Sequence, residues 1–563
     1  MAKVPTDQWT PTWQLPRRAH RATRSTLRPE HPPETPTQTL TAAMPPASTT
    51  ARFGTRLLST SALRTAVTAS SSSSSPPAAS AASSSSSSAP QSKAQLGLIS
   101  PIIMFIFCNP VLGGPWRAIL LAPTLSRCLI ILGDGNLLKS QRFAFDPTAA
   151  KFPLGFVATG LHCGVKKDPS RLDLGVIISD RPCSAAGTFT RNAFVAAPVV
   201  VSKEVLAKGR GIARGLVVNS GCANAVTGSQ GLKDARAMSD QLDSFLCESN
   251  SSSATGTLVM STGVIGQLLP IKKILSGITS STATLGSTHL AWLDAAKAFM
   301  TTDTFPKLRT RSFELGGKEV RMVGIDKGAG MIHPNMGPPH ATLLGMIATD
   351  AVVTPASLQD ALTYAVDRSF NSISVDGDMS TNDTIVVLAN GASGSVEISE
   401  KATPDEYIKF RDQLTDFAAE LAQLVVRDGE GAEKFVKITV KGSPTYEAAH
   451  KIASTISTSA LVKCALHGED ANWGRILCAV GYSNPGFDID PTKVTVSFVP
   501  VDGSAELKLL VNGEPEHVDE ARASEILKSV DLAIQVDLGL GDESATYWTC
   551  DFSHEYISIN AGE

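Results

Sequence analysis

The sequence predicts an α/β protein from residue 151 onward, and two observations support this class. Short runs rich in β-branched residues alternate with longer segments of helical character, which is the pattern of proteins that combine strands and helices in one core. Thr354-Pro355 and Ser443-Pro444 are helix-start signatures, in which a capping hydroxyl precedes Pro at the first helical position. No internal repeat is present in the sequence.

The strands and helices follow one another along the chain in a definite order. Continuous apolar runs are typical of buried strands, and an alternating run indicates a half-buried strand. Strands are predicted at 174–179, 215–219, 257–260, 318–325 (the alternating run), 384–388, 433–440 and 493–499. Thr354 is predicted to open a helix over 356–369, and Ser443 a second helix that ends near residue 460.

Residues 1–94 have the composition of a disordered leader. They carry ten Lys and Arg against three acids, with serine tracts at 70–75 and 83–88. Arg-rich, Ser-rich and acid-poor segments are typical of mitochondrial transit peptides. Residues 44–70 fit best, because Arg52, Arg56 and Arg64 stand among apolar residues as in an amphipathic helix. We therefore expect a protein of the mitochondrial matrix; a tail without a targeting role is the alternative.

Residues 95–150 contain an uncharged apolar run at 96–114 that is nearly long enough to cross a bilayer. Pro101 and Pro110 make it a poor helix, so we interpret it as a sequence artefact in preference to a membrane anchor. The net charge is −3 overall and +7 in residues 1–94, which leaves −10 for the rest of the chain. This argues against nucleic acid as a partner, since phosphate binding needs a clustered basic face. The nine cysteines form no Cys-x-x-Cys pair and no group with His at metal spacing, so no metal and no cofactor are predicted.

The segment from Lys327 to Asp350 carries the most specific chemistry in the chain. A Lys and a glycine turn precede a Pro-rich bend and then Ala341-Thr342, which opens an apolar run. A Thr hydroxyl needs a base beside it to act as a nucleophile, and a cut before Thr342 would supply one in the new α-amino group. That group has an ordinary pKa of about 7.7–8.0, which suits a base near neutral pH. The simpler interpretation is that Thr342 caps a helix.

Other polar motifs accompany this segment in a fixed order. They are Asn219-Ser-Gly-Cys-Ala-Asn-Ala225, Ser261-Thr-Gly263, Thr301-Thr-Asp-Thr304, Asp376-Gly-Asp-Met-Ser-Thr-Asn-Asp-Thr384, Asp428-Gly-Glu-Gly431, Gly468-Glu-Asp-Ala-Asn-Trp-Gly-Arg475 and Tyr556-Ile-Ser-Ile-Asn-Ala561. Together they resemble the bifunctional ornithine acetyltransferases, also called glutamate N-acetyltransferases, from about residue 152 to the C-terminus. The resemblance implies an N-terminal-nucleophile-like, layered α-β-β-α fold that is not of the Rossmann type. It also implies cleavage between Ala341 and Thr342, with Thr342 as the catalytic nucleophile.

The motif Ser261-Thr262-Gly263 follows a predicted strand and is expected to form a turn. A hydroxyl and backbone N–H groups at such a turn can meet a developing oxyanion. By resemblance to the family, Thr262 and Gly263 form the oxyanion hole that faces Thr342.

Five further residues match the family's substrate contacts: Thr301, Thr302, Lys327, Glu430 and Asn560. A cationic Lys and hydroxyl donors suit the α-carboxylate that N-acetylornithine and glutamate share, and the spacing to Lys327 favours Thr301 over Thr302. Glu430 stands between two glycines and suits the ammonium group of ornithine.

The resemblance implies a ping-pong transfer of acetyl from N-acetylornithine to glutamate through an acetyl ester of Thr342, and it leaves acetyl-CoA open as a second donor. Residues 151–341 and 342–563 would be the α and β chains of one precursor, associated as a heterotetramer with two of each. Two alternatives stay open: an amidase or aminopeptidase with the same nucleophile, and a non-catalytic binding homologue. Release of ornithine that depends on glutamate would separate the first alternative, and an uncut chain would favour the second.

Overall fold

Two β-sheets carry the fold, and each combines strands that lie far apart in the sequence. The structure, a computed structural model, describes residues 138–249, 256–336 and 343–562. The strands are β1 (Phe156–Leu161), β2 (Leu174–Phe189), β3 (Ile212–Cys222), β4 (Thr257–Val264), β5 (Lys307–Leu315), β6 (Lys318–Lys327), β7 (Leu344–Thr349), β8 (Ile373–Ser374), β9 (Thr384–Ala389), β10 (Phe435–Ser443), β11 (Thr495–Phe498), β12 (Leu507–Val511), β13 (Glu514–Pro515), β14 (Asp531–Asp537) and β15 (Glu543–Cys550).

Helices separate these strands along the chain. They are α1 (Lys139–Arg142), α2 (Ala197–Lys208), α3 (Gly228–Ser249), α4 (Ile271–Ser281), α5 (His289–Phe299), α6 (Pro355–Asp367), α7 (Pro404–Arg427), α8 (Tyr446–Thr458), α9 (Ala460–His467), α10 (Gly474–Tyr482), α11 (Glu520–Leu527) and α12 (His554–Ala561), with a 3₁₀ turn at Phe370–Ser372. None of the helices in the described part of the chain is long and apolar enough to cross a membrane.

The first sheet has the strand order β4-β3-β2-β9-β7-β6-β5, with β1 paired to β2 beside this path. The pairs β3–β4 and β7–β9 are parallel, whereas β2–β9, β5–β6 and β6–β7 are antiparallel. The second sheet has the order β13-β12-β11-β14-β10-β15-β8. Both sheets are therefore mixed, which excludes a Rossmann arrangement with its mostly parallel sheet.

Helices cover both faces of the first sheet and one face of the second. On the first sheet, Trp292 and Phe299 of α5 pack against one face, while Phe410 and Phe417 of α7 pack with α6 against the other. Helices α8 to α11 bury apolar side chains against β10, β11 and β14 of the second sheet. Removal of these apolar surfaces from water is the main force that holds helices and sheets together.

The α/β class and the predicted elements are confirmed in the described residues, with shifts of up to four residues at their ends, except that β2 continues ten residues beyond the predicted end at 179. One helix start was wrong: α8 begins at Tyr446, and the hydroxyl of Thr445, not of Ser443, accepts the capping N–H from Ala448. The reason is that β10 extends to Ser443 through its pairing with Glu543 of β15. The predictions for residues 1–94, and for 95–137 of the apolar segment, lie outside the described residues.

Candidate active site

A cavity opens where the ends of β4 and β6 meet the starts of β7 and β9. Its described lining consists of Ala223, Thr262, Gly263, Ile265, Lys327, Gly330, Met331, Ile332, Leu343, Leu344, Ser380, Asn382 and Asp383. The predicted nucleophile Thr342 and its neighbour Ala341 lie outside the described residues. Leu343 follows Thr342 directly and lines the cavity, so the chain lies in this site from the second residue after the predicted cut.

Thr262 and Gly263 stand at the end of β4, beside the last residue of β6. The Lys327 ammonium donates to Thr262 Oγ1 over 3.3 Å, and both side chains are 9% exposed. Gly263 has φ of +126°, and a Cβ added there would come within 2.3 Å of the Gly221 carbonyl carbon. Only glycine fits this turn, since the left-handed φ and the close approach each exclude a side chain.

Two buried asparagines fix the residue before this turn. The Ser261 hydroxyl donates to Asn219 Oδ1 over 2.6 Å, and Asn382 Nδ2 donates to the Ser261 carbonyl over 2.8 Å. Asn382 also donates to the Ala223 carbonyl, and Asn219 donates to that of Cys222 over 2.9 Å. Strands β3, β4 and β9 are thus joined at their ends, and the predicted oxyanion turn cannot move without breaking several buried hydrogen bonds.

A fully buried ion cluster lies under the site. The Lys307 ammonium contacts Asp303 over 2.6 Å and Asp428 over 2.7 Å, and none of the three side chains is exposed. The Asp303 carboxylate also accepts the backbone N–H groups of Thr301 and Gly328, each over 2.8 Å. Thr301 is thereby tied to the residue after Lys327, whereas Thr302 is exposed. Neither threonine lines the cavity among the described residues.

Burial lowers the pKa of Lys327, while Asp303, Asp383 and Glu430 act in the opposite direction. A buried ammonium is a strong donor to a carboxylate, because little water competes for it. The position at the cavity wall is therefore suited to the α-carboxylate of an amino acid.

Glu430 and Asn560 are 130 residues apart and meet at one side of this region. Asn560 Nδ2 donates to Glu430 Oε2 over 3.1 Å. The Glu430 carboxylate lies against Gly330 of the cavity lining, where an added Cβ would be 2.4 Å from Oε2. The structure thus brings into contact two residues that the sequence analysis predicted separately, each from its own motif.

Asp383 is the charged residue of the described cavity lining that the sequence analysis missed. Its side chain is 2% exposed, the Ser380 side chain hydrogen-bonds its carboxyl, and its Oδ2 has no hydrogen-bond partner among the described residues. Burial raises the pKa of this carboxyl well above its ordinary value, although Lys327 opposes the shift. The signal in the sequence was a carboxylate directly before the apolar run of β9, inside the motif 376–384.

Asn219, Asn382 and the cluster of Asp303, Lys307 and Asp428 were also missed as supports of the site. Each stands in or near a motif that the sequence analysis quoted, except Lys307, whose neighbours in the sequence give no hint of burial. His333 is in contact with Tyr547 OH over 3.3 Å. Burial lowers the pKa of His333 to about 4, so the imidazole is neutral at physiological pH.

The fold and this cavity define a class: an α/β enzyme with mixed sheets whose site combines the predicted oxyanion turn, a buried cation and a carboxyl group, a set of groups that suits acyl transfer. Comparison with known proteins gives the family. The chain belongs to the ArgJ family, whose model matches residues 157–562.

Relatives at high identity come from fungi. The chain is 65% identical over 427 residues to the arginine biosynthesis bifunctional protein ArgJ, mitochondrial, of Postia placenta, a match that covers 73% of this chain and 92% of the relative. It is 61% identical over 440 residues to the protein of the same name from Coprinopsis cinerea, covering 74% of this chain and 93% of the relative.

Solved structures include ArgJ from Bacillus halodurans, which is 35% identical, with a TM-score of 0.35 and coverage of 38% of this chain and 96% of that one. The ornithine acetyltransferase of Mycobacterium tuberculosis complexed with ornithine is 33% identical, with a TM-score of 0.29 and coverage of 33% and 94%.

Membership of the ArgJ family confirms the predicted resemblance and the ornithine acetyltransferase type of fold. The chain is an acyltransferase of arginine biosynthesis, with glutamate N-acetyltransferase and amino-acid N-acetyltransferase as its activities. It is a mitochondrial protein.

Proposed function

We propose that the chain cuts itself between Ala341 and Thr342 and that Thr342 then carries the acetyl group. The observation that supports this most directly is the cavity that Leu343 enters, where Thr262, Gly263 and Lys327 surround the start of β7. An N-to-O acyl shift through the Thr342 hydroxyl, followed by hydrolysis of the ester, would free the α-amino group of Thr342. That amine then serves as the base for the hydroxyl of the same residue.

In the proposed first half-reaction, Thr342 Oγ attacks the acetyl carbonyl of N-acetylornithine and ornithine leaves. Thr262 and Gly263 stabilise the oxyanion, since donors fixed before the reaction cost no reorganisation in the transition state. In the second half-reaction the α-amine of glutamate attacks the ester and leaves as N-acetylglutamate. For the amino-acid N-acetyltransferase activity, acetyl-CoA would load Thr342 in place of N-acetylornithine.

Substrate binding is assigned to residues on three sides of the cavity. Lys327 takes the α-carboxylate, with Thr301 held next to the same strand end through Asp303. Glu430, oriented by Asn560, takes the side-chain ammonium of ornithine. Thr302 is a second candidate for the carboxylate, and its exposure makes it the weaker one.

The two products of cleavage are proposed to stay together as α and β chains, two of each in a heterotetramer of the matrix. The pairs β6–β7 and β2–β9 join strands from both sides of the cut within one sheet. Separation would unpair four strand edges, on β2, β9, β6 and β7, and expose the core that covers them, which is energetically prohibitive.

The test is intact mass and N-terminal sequencing of the purified protein, beside Thr342→Ala and the surface control Thr492→Ala. We expect two fragments for the wild type and for Thr492→Ala, one of them beginning Thr-Leu-Leu-Gly, and one uncut chain for Thr342→Ala. A wild-type chain that stays uncut would overturn the proposal. Ornithine release that glutamate does not accelerate would favour an amidase with the same nucleophile.

A further inference from the structure

A buried carboxyl group without a full set of partners faces the reaction cavity. Asp383 lines it beside Lys327 and Thr262, is 2% exposed, and leaves Oδ2 unbonded by any described residue. A buried polar atom without a hydrogen bond costs about 1–3 kcal/mol. A ligand bound in the cavity would remove this cost by forming a hydrogen bond with Asp383 Oδ2.

The proposed reaction needs a proton carrier in addition to the Thr342 amine. Ornithine leaves as an amine that becomes ammonium, and glutamate arrives as ammonium, which cannot attack an ester until it loses a proton. One proton must therefore be supplied in the first half-reaction and removed in the second. Water reaches a buried cavity poorly, so a side chain with a suitable pKa is the natural carrier.

We propose that Asp383 binds the reacting α-amino group of the amino-acid substrates and carries one proton from the second half-reaction to the first. This assignment rests on the proposed function, because it takes acetyl-Thr342 as the intermediate. Among the described residues that line the cavity, Asp383 is the one with a carboxyl group. Asp303 and Asp428 already share an ion pair with Lys307, and Glu430 accepts from Asn560.

The protons balance over the cycle. In the first half, the bond from the acetyl carbon to the ornithine nitrogen breaks and the bond to Thr342 Oγ forms. The hydroxyl proton passes through the Thr342 amine to the leaving nitrogen, and protonated Asp383 adds a second proton, so that ornithine departs as ammonium. Asp383 is left as a carboxylate.

In the second half, Asp383 takes a proton from the ammonium of glutamate, and the free amine attacks the ester carbonyl. The new C–N bond forms, the C–Oγ bond breaks, and a further amine proton returns through the Thr342 amine to Thr342 Oγ. Asp383 ends the cycle protonated, as it began, and no other reactant is required.

The surroundings of Asp383 favour both forms in turn. Burial favours the protonated carboxyl, while the Lys327 ammonium and the hydrogen bond from Ser380 favour the carboxylate. Lys327 is the charged group that faces Asp383 among the described residues. A substrate carboxylate on Lys327 would offset its charge, and the affinity of Asp383 for the proton would then rise with the substrate bound.

Asp383→Asn is the variant that tests this role, with Asp378→Asn, an exposed aspartate of the same loop, as its control. We expect both variants to be cut at Thr342 by intact mass. Acetyl transfer to glutamate should fall about 10²–10⁴-fold in Asp383→Asn, the usual contribution of acid–base catalysis, and stay unchanged in Asp378→Asn. The second half-reaction is then measured alone, from acetyl-enzyme formed beforehand: methoxyamine, an amine that is unprotonated at neutral pH, should take the acetyl group from Asp383→Asn nearly as fast as from the wild type, whereas glutamate should take it much more slowly.

Transfer to glutamate at the wild-type rate in cut Asp383→Asn would overturn the inference, and equal losses with glutamate and methoxyamine would reduce Asp383 to a structural residue. If Asp383→Asn stays uncut, the pH dependence of the wild-type enzyme tests the inference instead. Its kcat/KM for glutamate should stop rising at a pH well below the ordinary pKa of the glutamate ammonium group, because the enzyme removes the proton, and a rise that continues up to that pKa would overturn the inference. An uncut wild type would instead refute the proposed function itself.

Discussion

At the scale of single residues, the site depends on a lysine and an aspartate kept in unusual surroundings. Lys327 ends β6 in a cavity where burial lowers its pKa, and Asp383 precedes β9 with the opposite shift. Perturbed pKa values of this kind cluster at functional sites. Burial disfavours the charged form of a side chain, and it also strengthens the interaction of that charge with a bound ligand. The two residues are therefore more informative about the reaction than the exposed charges of the surface.

Replacing Lys327 by Met should weaken substrate binding and remove a pH dependence. Loss of a hydrogen bond to a charged group costs about 1.5–3 kcal/mol, or about 10–150-fold in KM for glutamate. Lys327 binds a carboxylate only when protonated, and its pKa is lowered, so the wild-type KM should rise with pH already below the 10.5 of an ordinary lysine. Steady-state KM against pH measures both effects.

The control for this prediction is Lys318→Met at the exposed start of the same strand, which should keep the wild-type KM and its alkaline rise. An alkaline rise of the same size in Lys327→Met would show that another group titrates.

At the scale of elements, the site is made by strand ends rather than by whole strands. The parallel pair β3–β4 has an irregular register around Gly221 and Cys222, and this irregularity is where Gly263 approaches the neighbouring backbone. Irregularities in strand pairing change the direction in which the following side chains point. The predicted oxyanion turn therefore depends on the pairing of β3 with β4 and not on the Ser-Thr-Gly sequence alone.

Gly263→Ala should abolish cleavage and activity, because its Cβ would meet the Gly221 carbonyl carbon at 2.3 Å. Gly266→Ala is a matched control: its φ is also positive, at +82°, but an added Cβ meets no atom within 4 Å. We expect Gly266→Ala to lose only the roughly 1–2 kcal/mol of a left-handed alanine and to be cut normally. Intact mass measures the cleavage of both variants, and thermal unfolding measures their stability. Normal cutting of Gly263→Ala would contradict the placement of the turn.

At the scale of the whole molecule, a buried ion cluster connects regions on both sides of the predicted cut. Lys307 of β5 contacts Asp303 just before that strand and Asp428 just after α7. Removal of one partner from a buried ion pair leaves an uncompensated charge and costs about 3–5 kcal/mol. The cluster thus joins Asp303 and Lys307, which precede the predicted cut, to Asp428, which follows it.

Lys307→Met should destabilise the fold by about this 3–5 kcal/mol, measured by urea unfolding in the uncut Thr342→Ala background so that one chain unfolds. The folded-state pKa of Asp303 is held well below its ordinary value, chiefly by Lys307 against the effect of burial. Its contribution is therefore complete above the unfolded pKa of about 3.9 and lost as the pH falls below it. The wild type should lose stability in that acid range, and the variant should lose less.

Lys297→Met, which breaks only the exposed pair with Asp294, serves as the control and should change stability by less than about 1 kcal/mol. Equal stability of Lys307→Met and the control would mean that the cluster contributes nothing.

The sequence by itself determined the class of fold and the family, and it predicted three of the thirteen residues in the described cavity lining, namely Thr262, Gly263 and Lys327. Apolar runs placed seven of the fifteen described strands, since period and composition follow from which faces are buried. Motifs in fixed order predicted Thr262, Gly263, Lys327, Glu430 and Asn560 as site residues. Only the tertiary structure decided which of these are neighbours, because the segments that meet lie 65 to 130 residues apart in the chain. Asp383 and Lys307 needed the structure for the same reason: a charge becomes chemically unusual only through burial, and burial is set by the packing of distant segments.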